Sequence, residues 1–288
     1  MPKIINYFKS KFFIITFERF PNLFRPSSKP YISGDTFRKL SDHIFDESKT
    51  FNPKKVKYND FIFVNSELLE IFFQTVHKKI GYSYYLISHN SDTNITKKEL
   101  SYLDEKIIHW YAQNLCVKSS DKISFIPIGL ENLRRLKNGR KKWFLNPNQN
   151  KKSYILSSFN IFTNYQERSE INNKFNGNKL ITIKNFDSTR EYFSELNNHK
   201  FVICPVGNGV DTHRIWESLL LNVIPILKIS EFTKNLKKIN IPALYISDWH
   251  ELNNLNEEHL DNIYSSYSSI NFQNFVTLKF WKSYMKKI

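Results

Sequence analysis

The residues best suited to chemistry lie together in Phe201-Val-Ile-Cys-Pro-Val-Gly-Asn-Gly-Val-Asp-Thr-His-Arg-Ile-Trp-Glu-Ser-Leu-Leu-Leu-Asn-Val-Ile-Pro-Ile-Leu227, which reads as strand, glycine loop, helix and strand. Gly207 and Gly209, flanking Asn208, allow positive φ and close approach of a ligand, and Asp211 or Thr212 can cap the helix that follows. A helix N-terminus at the carboxyl end of a parallel strand is an anion site, because its unpaired N–H groups and its dipole point the same way. His213 and Arg214 stand in that first turn, where the dipole disfavours cations, and a bound phosphate would explain them. Glu217 lies on nearly the same helical face, so it can accept from ribose hydroxyls or simply pair with Arg214. Trp216, Leu219 and Leu220 read as core contacts.

Three further constellations carry polar groups. Thr163-Asn164-Tyr-Gln-Glu-Arg168 follows an apolar run and falls where an α/β cleft opens, which makes Thr163, Asn164 and Arg168 donor-side candidates. Tyr84 to Ser88 runs into His89-Asn90-Ser91-Asp92, so His89 and Asp92 emerge at a strand's carboxyl end as the first candidates for a base. Ser33-Gly34-Asp35-Thr36-Phe37-Arg38 offers Asp35 either as an N-cap or as a catalytic carboxylate, with Arg38 as an acceptor-binding cation. Glu131, after a glycine turn, is a weaker alternative base, while His109, Trp110 and Gln113 read as packing residues.

These side chains need elements to position them. In the second half, apolar runs at Tyr154–Leu156, Leu180–Ile183, Phe201–Cys204, Val223–Leu227 and Leu244–Ile246 alternate with helical stretches near 165–174, 188–197, 211–221 and 230–238. That alternation predicts a doubly wound parallel sheet. The first half is less regular, with strands expected at Asp60–Val64, Tyr84–Ser88 and Ile123–Ile128 and a helix over Thr36–Phe45. The segment from Arg134 to Lys152 places eight basic residues in 19 positions without an acid, and with Asn138-Gly139 it reads as an exposed connection. The expected organisation is therefore an acceptor-side α/β domain over 1–145, a Rossmann-like domain over 146–270, and a final helical segment over 271–288 that packs back on the first.

The motif resembles the nucleotide-sugar-binding signature of exostosin-like glycosyltransferases, in which a Pro-x-Gly-x-Gly loop leads into an Arg and Glu helix and a Pro-containing strand. The resemblance implies two Rossmann-like domains in the GT-B arrangement, with a nucleotide sugar on the C-terminal half and a glycan or lipid-linked glycan acceptor facing the N-terminal half. Asn222 stands where such proteins usually carry Gly, and Asn is the next best residue for positive φ. The sequence contains no Asp-x-Asp pair to hold a divalent ion on a diphosphate, so no metal and no cofactor is expected, and His213, Arg214 and Arg168 are left to neutralise the leaving group.

Composition narrows the alternatives. With 41% hydrophobic and 16% aromatic residues, the chain can build a real core, which argues against a disordered protein. Two cysteines, Cys116 and Cys204, are too few for a disulfide framework. The net charge of +15 raises a noncatalytic nucleic-acid-binding protein as the alternative, but no helix-turn-helix, finger or RNP pattern accompanies it, and no nucleic acid is expected as partner. Much of that charge is Lys in a chain with only two Ala, a composition typical of A+T-rich coding. A dinucleotide oxidoreductase is disfavoured, since the glycine loop reaches Thr212 where the third Gly would stand. No uninterrupted apolar span occurs, which predicts a cytoplasmic protein without an export leader. Residues 3–29 interleave six basic side chains with Phe, a mix that suits either an anionic membrane surface at the inner face or an ordinary first strand and loop.

Overall fold

The structure, a computed structural model, describes residues 25–286. The basic, aromatic stretch up to Phe24 lies outside the described residues, so its expected membrane role meets no structural observation.

Two five-stranded, wholly parallel sheets organise the described residues, an arrangement compatible with Rossmann-like units. The first contains β1 (His43–Phe45), β2 (Phe61–Asn65), β3 (Tyr84–His89), β4 (Ile107–Ala112) and β5 (Ile123–Phe125), in sequential order. Helices α1 (Gly34–Arg38), α2 (Leu69–Thr75) and α3 (Lys97–Leu100) belong to this half. The second contains β6 (Ser153–Ser157), β7 (Ile181–Ile183), β8 (His199–Ile203), β9 (Ile224–Lys228) and β10 (Leu244–Ile246), ordered β10-β9-β8-β6-β7. Between and after these strands run α4 (Tyr165–Lys174), α5 (Thr189–Leu196), α6 (His213–Leu220), α7 (Glu231–Lys238), α8 (Glu257–Ser266) and α9 (Leu278–Lys286).

The two orders differ in a way that matters for function. In the second sheet the chain leaves β6 toward β7 and returns to place β8 on β6's other side, so the direction of winding reverses between β6 and β8. A crevice opens outside the carboxyl ends of strands at such a reversal. The first sheet advances strand by strand and contains no reversal.

Most expected elements are present within a residue or two, but the helix over Thr36–Phe45 stops at Arg38. The chain turns, Asp42 accepts the Phe61 amide at 2.8 Å, and His43–Phe45 pairs with β2 as an edge strand. Burying Ile44 and Phe45 in a sheet overrides the helical spacing. The segment around His109 is β4, with His109 bonded to Asp121 O and Ser124 Oγ and Trp110 Nε1 donating to Ser88 Oγ.

Buried side chains form one continuous cluster through both halves. Phe125 on β5, Trp216 on α6 and Trp281 on α9 meet with ring centroids 5.9–6.3 Å apart, so Trp216 is core, as its spacing implied. Tyr111 on β4 donates its hydroxyl to Met285 O at 2.7 Å, which ties the last helix to the first sheet. The basic segment is more than an exposed connection. Lys151 is buried and donates to Asn197 O and Leu221 O, and Phe144 packs on Phe193. Among the described residues no helix is long and apolar enough to cross a membrane.

Candidate functional site

Loops leaving the carboxyl ends of both sheets enclose two adjoining cavities. The larger, about 1000 Å³, sits at the β6/β8 reversal and is walled by the loop after β6, by Gly207–Gly209, and by the start of α6. The smaller, about 310 Å³, is walled by the loops after β3 and β5, with Gly34 and Arg134. Asp92, Ile128 and His213 line both, so the compartments meet there.

The larger cavity gathers Thr163, Arg168, Gly207, Asn208, Gly209, Asp211, His213, Arg214 and Glu217, nearly the full set of expected donor-side residues. Asn164 is the exception. It lies behind the wall, with its amide directed to Glu167 and Val206 O. Arg168 on α4 is buried and donates to Val206 O at 2.9 Å and Asn160 O at 2.7 Å, which fixes its guanidinium against the glycine loop. Arg168 and Arg214 both approach the Phe159 ring, at 5.4 and 5.9 Å from its centroid. Burial and the neighbouring Arg214 depress the Arg168 pKa to about 10.

Three polar atoms on this wall lack partners among the described residues. Thr212 Oγ1, Arg214 Nε and Glu217 Oε1 are buried without a hydrogen bond, Tyr192 stands against the Arg214 guanidinium, and all four residues line the larger cavity. Buried polar atoms are nearly always satisfied, so such a concentration marks a place where a polar ligand completes the bonding. Burial raises the Glu217 pKa to about 8, against the opposing pull of Arg214. The carboxyl therefore sits in the cleft as a group able to donate as well as accept.

The glycines act differently from the sequence expectation. Neither Gly207 nor Gly209 has positive φ; their value is close approach. A Cβ on Gly209 would lie 2.7 Å from Asn114 Nδ2, and one on Gly207 3.1 Å from Arg168 Nη2. Positive φ falls instead on Gly129, at +66°, and on Gly177, at +85°. Asn222 adopts φ +55°, as its place before the Ile-Pro strand required.

Asp211 does not cap α6. Thr212 holds the cap position without a side-chain bond. Asp211 instead links the halves: Oδ2 accepts the Ile128 amide at 2.6 Å, its own amide donates to Asn114 Oδ1 at 3.0 Å, and Oδ1 accepts Trp216 Nε1 at 2.9 Å. Asn208 Nδ2 donates to Asp92 Oδ2 at 3.1 Å, a second tie across the same junction.

The candidates from the first half divide sharply. Asp92 is exposed and lines both compartments. His89 lines the smaller one, but its Nε2–H donates to Pro127 O at 3.0 Å and its Nδ1 accepts the Asn90 amide at 2.7 Å. Burial pushes its pKa down to about 4. With both nitrogens occupied, His89 is a fixed wall residue and not a free base.

Asp35 and Arg38 need correction. Neither lines either of these two cavities. Ser33, not Asp35, caps α1. Asp35 is fully buried, 3.6 Å from Arg25 and 3.5 Å from Arg134, and works as an internal counter-ion. Arg38 donates to Asp46 Oδ2 at 2.6 Å and to Ser48 Oγ, so this cation is explained by an ion pair within the fold. Glu131 and Gln113 do line the smaller cavity, Gln113 as a buried wall residue whose amide bonds Asn90 N and Ser91 O, in keeping with its reading as packing. Tyr192 and Phe159 went unrecognised because nothing in their local spacing separates a cleft-facing aromatic from a core one.

A search of curated proteins finds no match to the chain. Residues 157–269, a segment that holds the glycine loop, α4, α6 and most of the larger cavity's wall, match the RXYLT1 C-terminal domain, a family related to exostosin-like glycosyltransferases, and this similarity points to a glycosyltransferase-type function.

Proposed function

We propose that the protein is a metal-independent, inverting glycosyltransferase of GT-B architecture. It moves a sugar from a nucleotide diphosphate sugar in the larger cavity to a hydroxyl of a glycan or lipid-linked glycan in the smaller one. The observation that carries this reading is the concentration of unpartnered Thr212, Arg214 and Glu217 atoms around one cavity at a winding reversal. Arg168, buried, and Arg214, half-buried, are like charges beside one aromatic ring that an anion between them would balance, and a diphosphate supplies two charged groups. The N-terminus of α6 adds its unpaired N–H groups. These cations take the role a divalent ion plays elsewhere on a leaving diphosphate. Glu217, the fifth residue of α6, is placed to bond hydroxyls of the ribose or the sugar.

The smaller cavity, with Asn90, Gln113, Asn132 and Glu131 on its wall, offers donors and acceptors suited to sugar hydroxyls. We place the reaction in the cytoplasm, with the basic chain near an anionic membrane that carries the acceptor.

The test is thermal stability of the purified protein against nucleoside diphosphates and nucleotide sugars with EDTA present. Saturation at a hundred times the dissociation constant adds about 2.7 kcal/mol. The expected result is a shift for one nucleotide class that Arg214→Ala cuts to about half or less at the same ligand concentration. A folded protein that responds to none of them, or responds only when a divalent ion is added, contradicts the reading.

A further inference from the structure

The geometry points to His213 as the general base of the transfer, an inference that rests on the glycosyl-transfer reading and changes the role its sequence position implied. A base must reach the acceptor hydroxyl and lie beside the anomeric carbon, so it belongs where the two compartments join. Asp92, Ile128 and His213 are the residues common to both walls, and Ile128 carries no proton-accepting side chain.

His213 is oriented for the task. A carbonyl oxygen can only accept, so the 2.7 Å contact with Gly129 O fixes the proton on Nδ1 and leaves the Nε2 lone pair without a hydrogen-bond partner among the described residues. The orienting carbonyl is itself held. Gly129 bridges Ser33, and a Cβ there would lie 2.6 Å from Ile32 O, so the turn cannot drift. His89 is the reverse tautomer with both nitrogens spent. Asp92 already accepts from Asn208, and a carboxylate is a weaker base than a neutral imidazole.

Burial holds the His213 ring below its ordinary pKa, and the α6 N-terminus also opposes a cation there. Asp92 and Glu131 face it and pull the other way, while His89 is a further neighbour from the end of β3. The ring is thus neutral before reaction, with two carboxylates placed to stabilise the imidazolium that forms. In the step, the acceptor oxygen bonds the anomeric carbon as its proton passes to Nε2. The bond from that carbon to the diphosphate oxygen breaks, and its electron pair leaves with the nucleoside diphosphate toward Arg168 and Arg214. The imidazolium then returns its proton to solvent.

His213→Asn is the discriminating variant, because its amide can still donate to Gly129 O while Nε2 is gone; His213→Ala controls for the loss of that tie. Release of nucleoside diphosphate is followed with UDP-glucose, UDP-galactose, UDP-N-acetylglucosamine and GDP-mannose, using oligosaccharide acceptors and water. For His213→Asn we expect nucleoside diphosphate affinity within about 3-fold of wild type, turnover lower by about 10²–10⁴-fold, and loss of the acidic limb of the kcat profile. Diethyl pyrocarbonate, which needs a free imidazole nitrogen, should modify His213 and spare His89 in the wild-type protein. The inference is overturned if His213→Asn weakens nucleotide binding while kcat is retained, if the acidic limb persists, or if Asp92→Asn removes that limb instead. A wild-type protein that neither binds nor turns over any nucleotide sugar overturns the parent reading as well, a result distinct from each of these.

Discussion

Asp211 accepts the backbone amide of Ile128 at 2.6 Å, joining the residue that follows the glycine loop of the second sheet to the strand end of the first. Its other oxygen takes the Trp216 indole, so one carboxylate holds both the cleft wall and the aromatic core behind it. Asp211→Ala would strand these two donors and is expected to cost about 2 kcal/mol or more in urea unfolding, with Asp211→Asn intermediate. Unchanged unfolding of Asp211→Ala would mean that the two halves are held by the apolar contacts alone.

The two buried carboxyls set a pH dependence whose sign is fixed. Burial raises the Asp211 pKa to about 7 and that of Glu217 to about 8. Between the ordinary carboxyl range and these values the folded chain binds more protons than the unfolded one, so their contribution to stability is largest in acid and falls as pH rises toward 8. Ligand-free Glu217→Gln should therefore melt higher than wild type at pH 8, by about 3 °C or more, with the gap closing toward pH 5. The same variant should bind nucleotide sugar more weakly, a trade of function for stability. Parallel melting curves from pH 5 to 8.5 would contradict this.

The paired guanidiniums predict that phosphate charge dominates donor affinity. Arg214→Ala and Arg168→Ala should each weaken nucleoside diphosphate binding by about 10- to 100-fold, the worth of a charged hydrogen bond, while leaving any nucleoside affinity nearly unchanged. Isothermal titration with UDP against uridine separates the two. Equal losses for both ligands would place the arginines away from the phosphates. Arg168→Ala should also lower stability, because Arg168 bridges Val206 O and Asn160 O.

Gly209 and Asn114 form a steric lock. Asn114 is fully buried and held by Ser91 O and the Asp211 amide, so it cannot move aside for a new Cβ 2.7 Å away. Gly209→Ala should destabilise by about 1–3 kcal/mol through overpacking. Adding Asn114→Gly should recover part of that loss, and a double-mutant cycle measures the coupling. Strict additivity would show that the loop relaxes without pressing on Asn114.

Asn222 offers a control outside the cleft. At φ +55°, Asn222→Gly should be neutral or slightly stabilising, whereas Asn222→Ala should cost about 1 kcal/mol, and neither should alter nucleotide binding.

What the sequence determined is local and periodic. Apolar runs about 20 residues apart from Tyr154 to Ile246 specified the second sheet's strands, and the stretch from Gly207 to Glu217 specified a loop and helix start that collects polar groups, because strand burial and helix termini depend on near neighbours in the chain. The left-handed turn at Asn222 was legible for the same reason. Tertiary structure decided the rest. His89 and His213 are equivalent as sequence, yet Pro127 O and Asn90 N occupy both nitrogens of the first, while Gly129 O takes only one of the second. Arg38 and Arg214 both read from sequence as first-turn cations, but Arg38 closes its short helix with Asp46 folded back onto it, while Arg214 faces the larger cavity. The edge strand at His43–Phe45 formed against a helical pattern because pairing with β2 buries more than a lone helical turn can. In each case the deciding partner is remote in sequence or set by the loop's fold, and a group's availability for chemistry depends on which partners reach it first.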